Sequence, residues 1–338
     1  MAHELTIRKN GMVEHAYRGT VGWHGLGQEI PADADLDTII RLGGLEWEVD
    51  RAYVRYTTRG GVEQVDKSRV VTYRADTKDP LGVVSASYQP VQPREVAEFF
   101  RDIMEIETLG TLRGGKRVWA MARVGADQPV TPGDFVAPYV LVSTSMDGSL
   151  ATTIKFVTVR VVCANTLRMA FNADNRTVFA IRHSTVFDVP TARARVAQAS
   201  ASFAEWLTGA QALAAKQVSA AQAKAVLATL FAKAVQQAAQ AQPVGQANVP
   251  QAPAPVVVAP KVTKAEQEIL ALFTNGSMIG ASLPGMAGTA WGLLNSITEY
   301  VDHGAKGSKV SVENRFDSAQ WGVGDKLKSQ AAELLAAL

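Results

Sequence analysis

One predicted helix, Thr289–His303, carries the polar pattern that a metal site would need. Its polar side chains recur at i, i+3, i+4, i+7 and i+8, so they share one helix face. They are Asn295, Thr298, Glu299, Asp302 and His303. Glu299, Asp302 and His303 could ligate Mg²⁺ or Mn²⁺, as in an enzyme that acts on nucleic acid. The favoured alternative is a polar face that hydrogen-bonds a neighbouring loop, because a single helix supplies too few converging ligands.

A second group of candidate residues is basic and lies in and beside the middle of the chain. Residues 1–150 carry a net charge of −4, residues 151–240 carry +7, and residues 241–338 carry −1. A basic centre indicates a local anion site, or else Ala-rich helices with solvated charges. Phosphate contacts need only positive charge and backbone donors. The residues predicted to contact phosphate are Lys116, Arg117, Arg160, Arg168 and Arg176.

No complete catalytic signature accompanies these candidates, so no catalytic residue is predicted and a non-enzymatic role is favoured. Trp23 and His24 lie in a Gly-rich loop and could stack on a ligand or transfer a proton. The simpler interpretation is that Trp23 anchors an N-terminal strap in the core. Cys163 ends a Val-rich strand and is interpreted as a small buried residue. Neither a dinucleotide-binding fingerprint nor a phosphate-binding loop is present.

Composition predicts a protein with a substantial core and a reducing environment. Apolar residues form 47% of the 338 residues and charged residues 20%. Cys163 is the only cysteine, which excludes an intrachain disulfide. No signal peptide is visible, and no apolar run approaches the ~20 residues that span a bilayer. A cytoplasmic protein that does not enter the membrane is therefore expected.

The segment Phe135–Phe171 is predicted to organise the fold. Asp147-Gly148 suits a tight turn, and it separates strands predicted at Phe135–Ser145 and Leu150–Cys163. A strand at Arg117–Val124 precedes this pair, and a helix at Asn165–Phe171 is predicted to follow it. The fold class is therefore α+β, an antiparallel sheet with a β-β-β-α core, followed by long Ala-rich helices and a C-terminal helical segment.

Side-chain alternation in the third of these strands predicts a central position in the sheet. Apolar residues fall on both of its faces, which is typical of a strand covered on both sides. Lys155 and Arg160 fall on opposite faces. They therefore cannot line one groove unless one of them is paired internally.

Shorter patterns predict the remaining elements. Strands are predicted at Glu46–Tyr56 with a break near Arg51, at Arg69–Tyr73, at Leu81–Ser85 and at Glu107–Leu112, with turns at Arg59–Gly61 and Arg113–Lys116. Helices are predicted at Asp33–Leu42, Gln92–Met104, Thr191–Leu213, Ser219–Gln240, Thr263–Phe273 and Asp325–Leu338, in addition to Thr289–His303.

Four regions are predicted from these elements. They are an α+β core domain (1–190), a helical region (191–240), a Pro/Ala-rich linker (241–262) and a C-terminal helical segment that packs on the core (263–338).

Three motifs together resemble a known family. They are WHGLG, then MDGS followed by VRVVCANTL, and GTAWGLLNSITEYVDH followed by NRFDSAQWGVGDKLK. These motifs resemble the phage/plasmid-like proteins of a domain-of-unknown-function family, found in phages, prophages and plasmids. The resemblance covers nearly the whole chain, with the Pro/Ala-rich segment as a variable insert. It implies a mobile-element origin and the cytoplasm of a bacterial host, and it implies no established activity.

A weaker similarity is architectural. A β-β-β-α core with basic residues and long helices is similar to the core of single-strand annealing recombinases, which assemble as rings or filaments and hold single-stranded DNA (ssDNA). This analogy predicts a DNA-binding homo-oligomer that favours ssDNA, anneals strands and needs no cofactor. Two alternatives stay open: a metal-dependent enzyme acting on nucleic acid, and a host-interaction or anti-defence protein whose Ala-rich helices form its assembly surface.

Overall fold

The structure is a computed structural model that describes residues 5–19, 25–160, 165–168, 178–181, 183, 194, 202–240, 262–304 and 315–338. Its main sheet is antiparallel except for one parallel pair, β1 with β2, and it has the order β11-β10-β9-β7-β6-β1-β2. β12 pairs with β10, and β8 pairs with β9. The strands are β1 (His15–Tyr17), β2 (Gln28–Glu29), β6 (Ile106–Leu112), β7 (Arg117–Arg123), β8 (Gln128–Thr131), β9 (Asp134–Ser145), β10 (Thr152–Arg160), β11 (Asn165–Arg168) and β12 (Val178–Ile181).

A second, three-stranded antiparallel sheet is formed by β3 (Val49–Thr57), β4 (Glu63–Arg74) and β5 (Pro80–Ser85). Its inner end is anchored to the main sheet by polar contacts. The Thr72 hydroxyl donates to the carbonyl of Met146 at 2.7 Å. This contact fixes the inner end of β4 against the β9–β10 turn.

A buried ionic network ties the N-terminal segment to this smaller sheet. Glu14 is fully buried and accepts hydrogen bonds from Arg74 Nη1 (3.0 Å) and Nη2 (2.8 Å). Arg8 Nε and the Thr111 hydroxyl also donate to the Glu14 carboxylate, at 2.7 and 2.5 Å. The guanidinium of Arg74 lies 4.1 Å from the ring centre of Trp47. The buried carboxylate is thus held by Arg8 of its own N-terminal segment and by two strands distant in sequence, β4 and β6.

Helices pack against the main sheet and supply most of the C-terminal half of the core. One hydrophobic cluster runs from Ala16 through the strands to Leu335 and includes Trp206 and Trp291. The Trp291 indole donates to Asp134 at 2.8 Å, so the start of β9 is joined to a helix. The helices are α1 (Leu36–Leu42), α2 (Pro93–Glu98), α3 (Ser202–Ala215), α4 (Ala220–Gln240), α5 (Lys264–Thr274), α6 (Ala290–His303), α7 (Arg315–Trp321) and α8 (Val323–Ala336).

The predicted α+β class is confirmed, as are the central strands and several caps. β7 and β9 agree with prediction within one residue, and β10 is covered on both faces: Ile154 and Phe156 belong to the main cluster, and Val157 to a smaller one. The helix α6 begins after its N-cap Thr289 and ends at Gly304 (φ 75°). The predicted capping box at Thr263 and Glu266 is present.

The predicted helix after the third strand is wrong over Asn165–Arg168. These residues form β11, which pairs antiparallel with β10, placing Arg160 opposite Asn165 and Val157 opposite Arg168. The outer edge of β10 carries N–H and C=O groups that need partners, and a returning strand satisfies them. A four-residue segment is too short for its periodicity to distinguish helix from strand.

The helix predicted from Gln92 to Met104 is also shorter than expected. α2 ends at Glu98, after which Phe99 and Phe100 insert into the core with their rings perpendicular. Asp102 has a left-handed backbone (φ 61°), which cannot continue a right-handed helix. Core packing and this backbone conformation therefore end the helix early.

No helix in the part of the chain that the structure describes is long and apolar enough to cross a membrane.

Candidate nucleic-acid interface

The outer parts of β3 and β4 form an exposed ribbon, which is two-stranded beyond the register shift between Tyr53 and Val54, where β4 no longer pairs with β5. We call residues 51–69 the basic ribbon; it comprises the outer part of β3, the connecting turn and the outer part of β4. No residue of the basic ribbon is buried. The turn closes through Gly61 (φ 80°), whose N–H donates to the carbonyl of Thr58 at 2.9 Å. A ribbon that buries none of its residues is available to a ligand.

The basic ribbon is positively charged within an acidic part of the chain. It carries five basic residues and two acidic residues, a net charge of +3, whereas the rest of residues 1–150 carries −7. The basic residues are Arg51, Arg55, Arg59, Lys67 and Arg69. This contrast concentrates positive potential on one projecting element, where it attracts a polyanion.

Strand alternation gives the two faces of the basic ribbon different chemistry. Arg51, Tyr53 and Arg55 stand at every second position of β3, so they share one face. Asp50 falls on the opposite face, as does Asp66, which is paired with Val54. One face therefore presents a row of arginine, tyrosine and arginine, with Glu63 opposite Thr57 at its outer end, and the other presents Asp50 and Asp66 without an arginine on β3.

The two carboxylates of the opposite face are held in their charged form by hydrogen bonds. The Tyr73 hydroxyl donates to Asp50 Oδ2 at 2.7 Å and lowers the pKa of Asp50, with a further contribution from the backbone N–H of Arg51. The side chain and backbone of Ser68 donate to Asp66 and lower its pKa. The opposite face therefore stays negatively charged near both carboxylates. The phosphates of a nucleic-acid strand are favoured on the arginine face instead.

Within the described residues, Arg55, Arg59, Lys67 and Arg69 form no ion pair with a carboxylate. Exposed arginines elsewhere do: Arg94, for example, is paired with Asp37 and Glu98. Arg55, Arg59 and Lys67 can therefore donate hydrogen bonds to phosphate oxygens without first breaking a salt bridge.

Two tyrosines add aromatic surface to the basic ribbon. Tyr53 is 55% exposed and Tyr56 is 53% exposed, on opposite faces of β3. Exposed aromatic rings beside cations are the combination on which unpaired bases stack.

The inner end of the basic ribbon is fixed to the body of the protein. Arg51 Nη1 donates to the carbonyl of Tyr88 at 2.5 Å. The Tyr88 ring stacks on His183, with ring centres 4.4 Å apart, and its hydroxyl donates to the carbonyl of Ser145. Burial raises the pKa of Tyr88 far above its usual range, so the phenol stays protonated as a donor. The position of Arg51 is thereby set by the core.

The residues predicted from sequence to contact phosphate do not form one surface among the described residues. Lys116 is exposed beside the turn before β7. Arg117 is 5% exposed, with its guanidinium 5.0 Å from the ring centre of Trp321 and a hydrogen bond to Ser149. The structure thus gives Arg117 a packing role between the sheet and α7.

Two of the other predicted phosphate contacts lie at the ends of paired neighbouring strands of the main sheet. Arg160 ends β10 and Arg168 ends β11, which is a strand where a helix was predicted. Arg176 lies outside the described residues, as do Trp23, His24 and Cys163. The Pro/Ala-rich segment, apart from Val262, also lies outside them.

Lys155 is paired internally. It is 3% exposed, its Nζ lies 2.9 Å from Asp325 Oδ1 of α8, and it also donates to the carbonyl of Gln320. The residue therefore joins the sheet to the C-terminal helices and does not face a groove.

The polar face of α6 makes internal contacts where a metal site was considered. Glu299 Oε2 accepts from the backbone N–H of Ile279 at 2.9 Å, and Asp302 Oδ1 lies 2.7 Å from Nζ of the buried Lys328. Thr298 donates to the carbonyl of Leu294 and Asn295 to that of Trp291. No cluster of three or more His, Cys, Asp or Glu side chains suited to a metal ion occurs within the described ranges.

Comparison with known proteins gives one match. A family model described as "Domain of unknown function (DUF932)" matches residues 80–331, which is more than half of the chain. No curated protein and no solved structure matches significantly. The basic ribbon precedes the matched residues.

Proposed function

Because the chain belongs to the DUF932 family, a domain of unknown function, we propose its function from the geometry of the basic ribbon. We propose a DNA-binding protein, encoded by a phage or plasmid, that binds the DNA backbone on this ribbon. The observation that carries the proposal is a projecting, unburied ribbon in which arginine and tyrosine alternate on one face, and in which Arg55 and Arg59 form no ion pair with a described carboxylate. Neutralising phosphates and releasing counterions supplies most of the binding free energy in such contacts.

Annealing of complementary single strands is the DNA activity that suits this surface best. It requires neutralised phosphates and accessible bases and needs no cofactor. Tyr53 and Arg55 on the arginine face are exposed, so a strand bound there leaves the bases that do not contact the protein open to a second strand. Self-assembly would extend such a surface along a longer strand.

The first test measures how salt weakens the binding of a labelled oligonucleotide to the double variant Arg55→Gln/Arg59→Gln. For single strands, the slope of log K against log salt is about −0.7 per phosphate neutralised. We expect the double variant to reduce the slope by about 1.4 and to bind more weakly at low salt. Fluorescence anisotropy over a salt series measures both quantities.

The matched control is Arg94→Gln/Arg101→Gln, which removes the same charge from the surface around α2, where both arginines are paired with Glu98. We expect this variant to keep the wild-type slope. Equal slopes in both double variants, or no DNA binding by the wild type at low salt, would contradict the proposal.

A further inference from the structure

The row formed by Arg51, Tyr53 and Arg55 has the arrangement that a single strand would need. Consecutive side chains on one face of a strand are about 6.7 Å apart, so the two arginines stand about 13 Å apart with the tyrosine between them. A base stacked on Tyr53 would have an arginine on either side for its flanking phosphates. The inner arginine is already oriented by its hydrogen bond to Tyr88, which lowers the cost of ordering it.

We infer that the basic ribbon recognises single-stranded nucleic acid by stacking an unpaired base on Tyr53; this inference rests on the proposed DNA binding. In a duplex the faces of the bases are covered by their neighbours in the stack, so only the phosphates reach the arginines. A duplex therefore loses the stacking contact and is bound by charge alone.

The opposite face of the basic ribbon does not offer the same site. Tyr56 is as exposed as Tyr53, but its face carries no arginine on β3, and Asp66 of β4 lies diagonal to it. Hydrogen bonds from Ser68 keep Asp66 charged, and this carboxylate repels a phosphate that flanks a base stacked on Tyr56. The inference therefore assigns stacking to one tyrosine of a closely matched pair.

The test compares Tyr53→Leu with Tyr56→Leu in the full-length protein, using a labelled single-stranded oligonucleotide and the corresponding duplex. Because stacking contributes about 1–3 kcal/mol per base, Tyr53→Leu should weaken single-strand binding about 5- to 100-fold. Duplex binding should be unchanged. Tyr56→Leu should alter neither affinity by more than about twofold, and Tyr53→Phe, which keeps the ring, should keep single-strand affinity.

The possible outcomes separate the inference from the proposal on which it rests. If DNA binds with a steep salt dependence but Tyr53→Leu binds single strands as the wild type does, the stacking inference is wrong and DNA binding stands. If the duplex binds as tightly as the single strand, the inference is also wrong. If neither form binds the wild type at low salt, both fail. Thermal unfolding of each variant verifies that these exposed substitutions leave the fold intact.

Discussion

At the scale of single residues, buried ion pairs in this protein join its helices and strands to one another. Lys155 of β10 is paired with Asp325 of α8. Lys328, which follows Asp325 by about one helical turn, is paired with Asp302 of α6. Both lysines are almost completely buried, and each cation is matched by a carboxylate. Removing one ion of such a pair is costly because the other stays buried without its nearest counter-charge.

The buried pair Lys328–Asp302 gives a prediction of stability. Lys328→Met should lower the free energy of unfolding by about 3–5 kcal/mol, because it leaves the Asp302 carboxylate buried beside a methionine. The double variant Lys328→Met/Asp302→Leu should recover most of this loss. Urea unfolding followed by circular dichroism measures both. A single variant within about 1 kcal/mol of the wild type would show that this pair does not hold α6 to α8.

At the scale of elements, the basic ribbon and the main sheet differ in what holds them together. The main-sheet strands β7, β9 and β10 are stabilised by side chains buried on both faces. The basic ribbon has backbone pairing and a fixed inner end but no buried side chain. An isolated two-stranded hairpin is marginally stable in water, so the anchored inner end sustains it.

Shortening the basic ribbon should therefore separate function from stability. Val54 and Asp66 are Cα partners, so Asn-Gly in place of residues 55–65 would close the strands with a two-residue turn. We expect the free energy of unfolding to change by less than about 1 kcal/mol, because no deleted side chain is buried. DNA affinity at low salt should fall at least about tenfold, because Arg55 and Arg59 are removed. Unchanged affinity would exclude the basic ribbon as the interface.

Sequence patterns predicted the long elements that have a buried face and missed the outer part of β4, which has none. The long strands β9 and β10, and α6 with its Thr289 cap, were predictable from the sequence. Their buried faces require apolar residues that recur with the period of a strand or a helix. Residues 63–68 of β4 carry no such pattern, since both their faces are solvated. Their pairing with β3 is set by the Gly61 turn and by strands further in.

The candidate site was missed for the same reason. Arg51, Tyr53 and Arg55 were included in a predicted strand, but their alternation with apolar residues indicated a half-buried strand rather than an exposed ribbon. The basic set predicted instead included Arg117, whose side chain the structure buries. Charge alone does not distinguish a cation paired inside the protein from one that faces solvent. The local signal was a short run of Arg and Tyr in an acidic region, with Gly60 and Gly61 at its turn.

At the scale of the whole molecule, one hydrophobic cluster joins both ends of the described chain. It includes Ala16 of β1 and Leu335 of α8. The smaller sheet is bound to the same body through Glu14, which accepts from Arg74 of β4 and from Thr111 of β6, so this network connects residues before the family match with a strand inside it. Unfolding is therefore expected to be cooperative across the described elements.

Substitution of Glu14 tests this cooperativity. Glu14→Gln removes the buried charge that faces Arg8 and Arg74 and should lower the free energy of unfolding by about 3 kcal/mol or more. Because the elements share one core, tryptophan fluorescence and far-ultraviolet circular dichroism should report the same shifted transition. Transitions that separate between the two probes would show that the smaller sheet unfolds independently of the main sheet.

The lack of any buried residue in the basic ribbon has a consequence for how this protein evolves. Substitutions at buried positions are constrained by packing, whereas those between Arg51 and Arg69 leave the core untouched. Length, charge and aromatic content can therefore drift in this ribbon at little cost to folding. Under the proposed function, such substitutions change which nucleic acid is bound while the DUF932 domain stays the same.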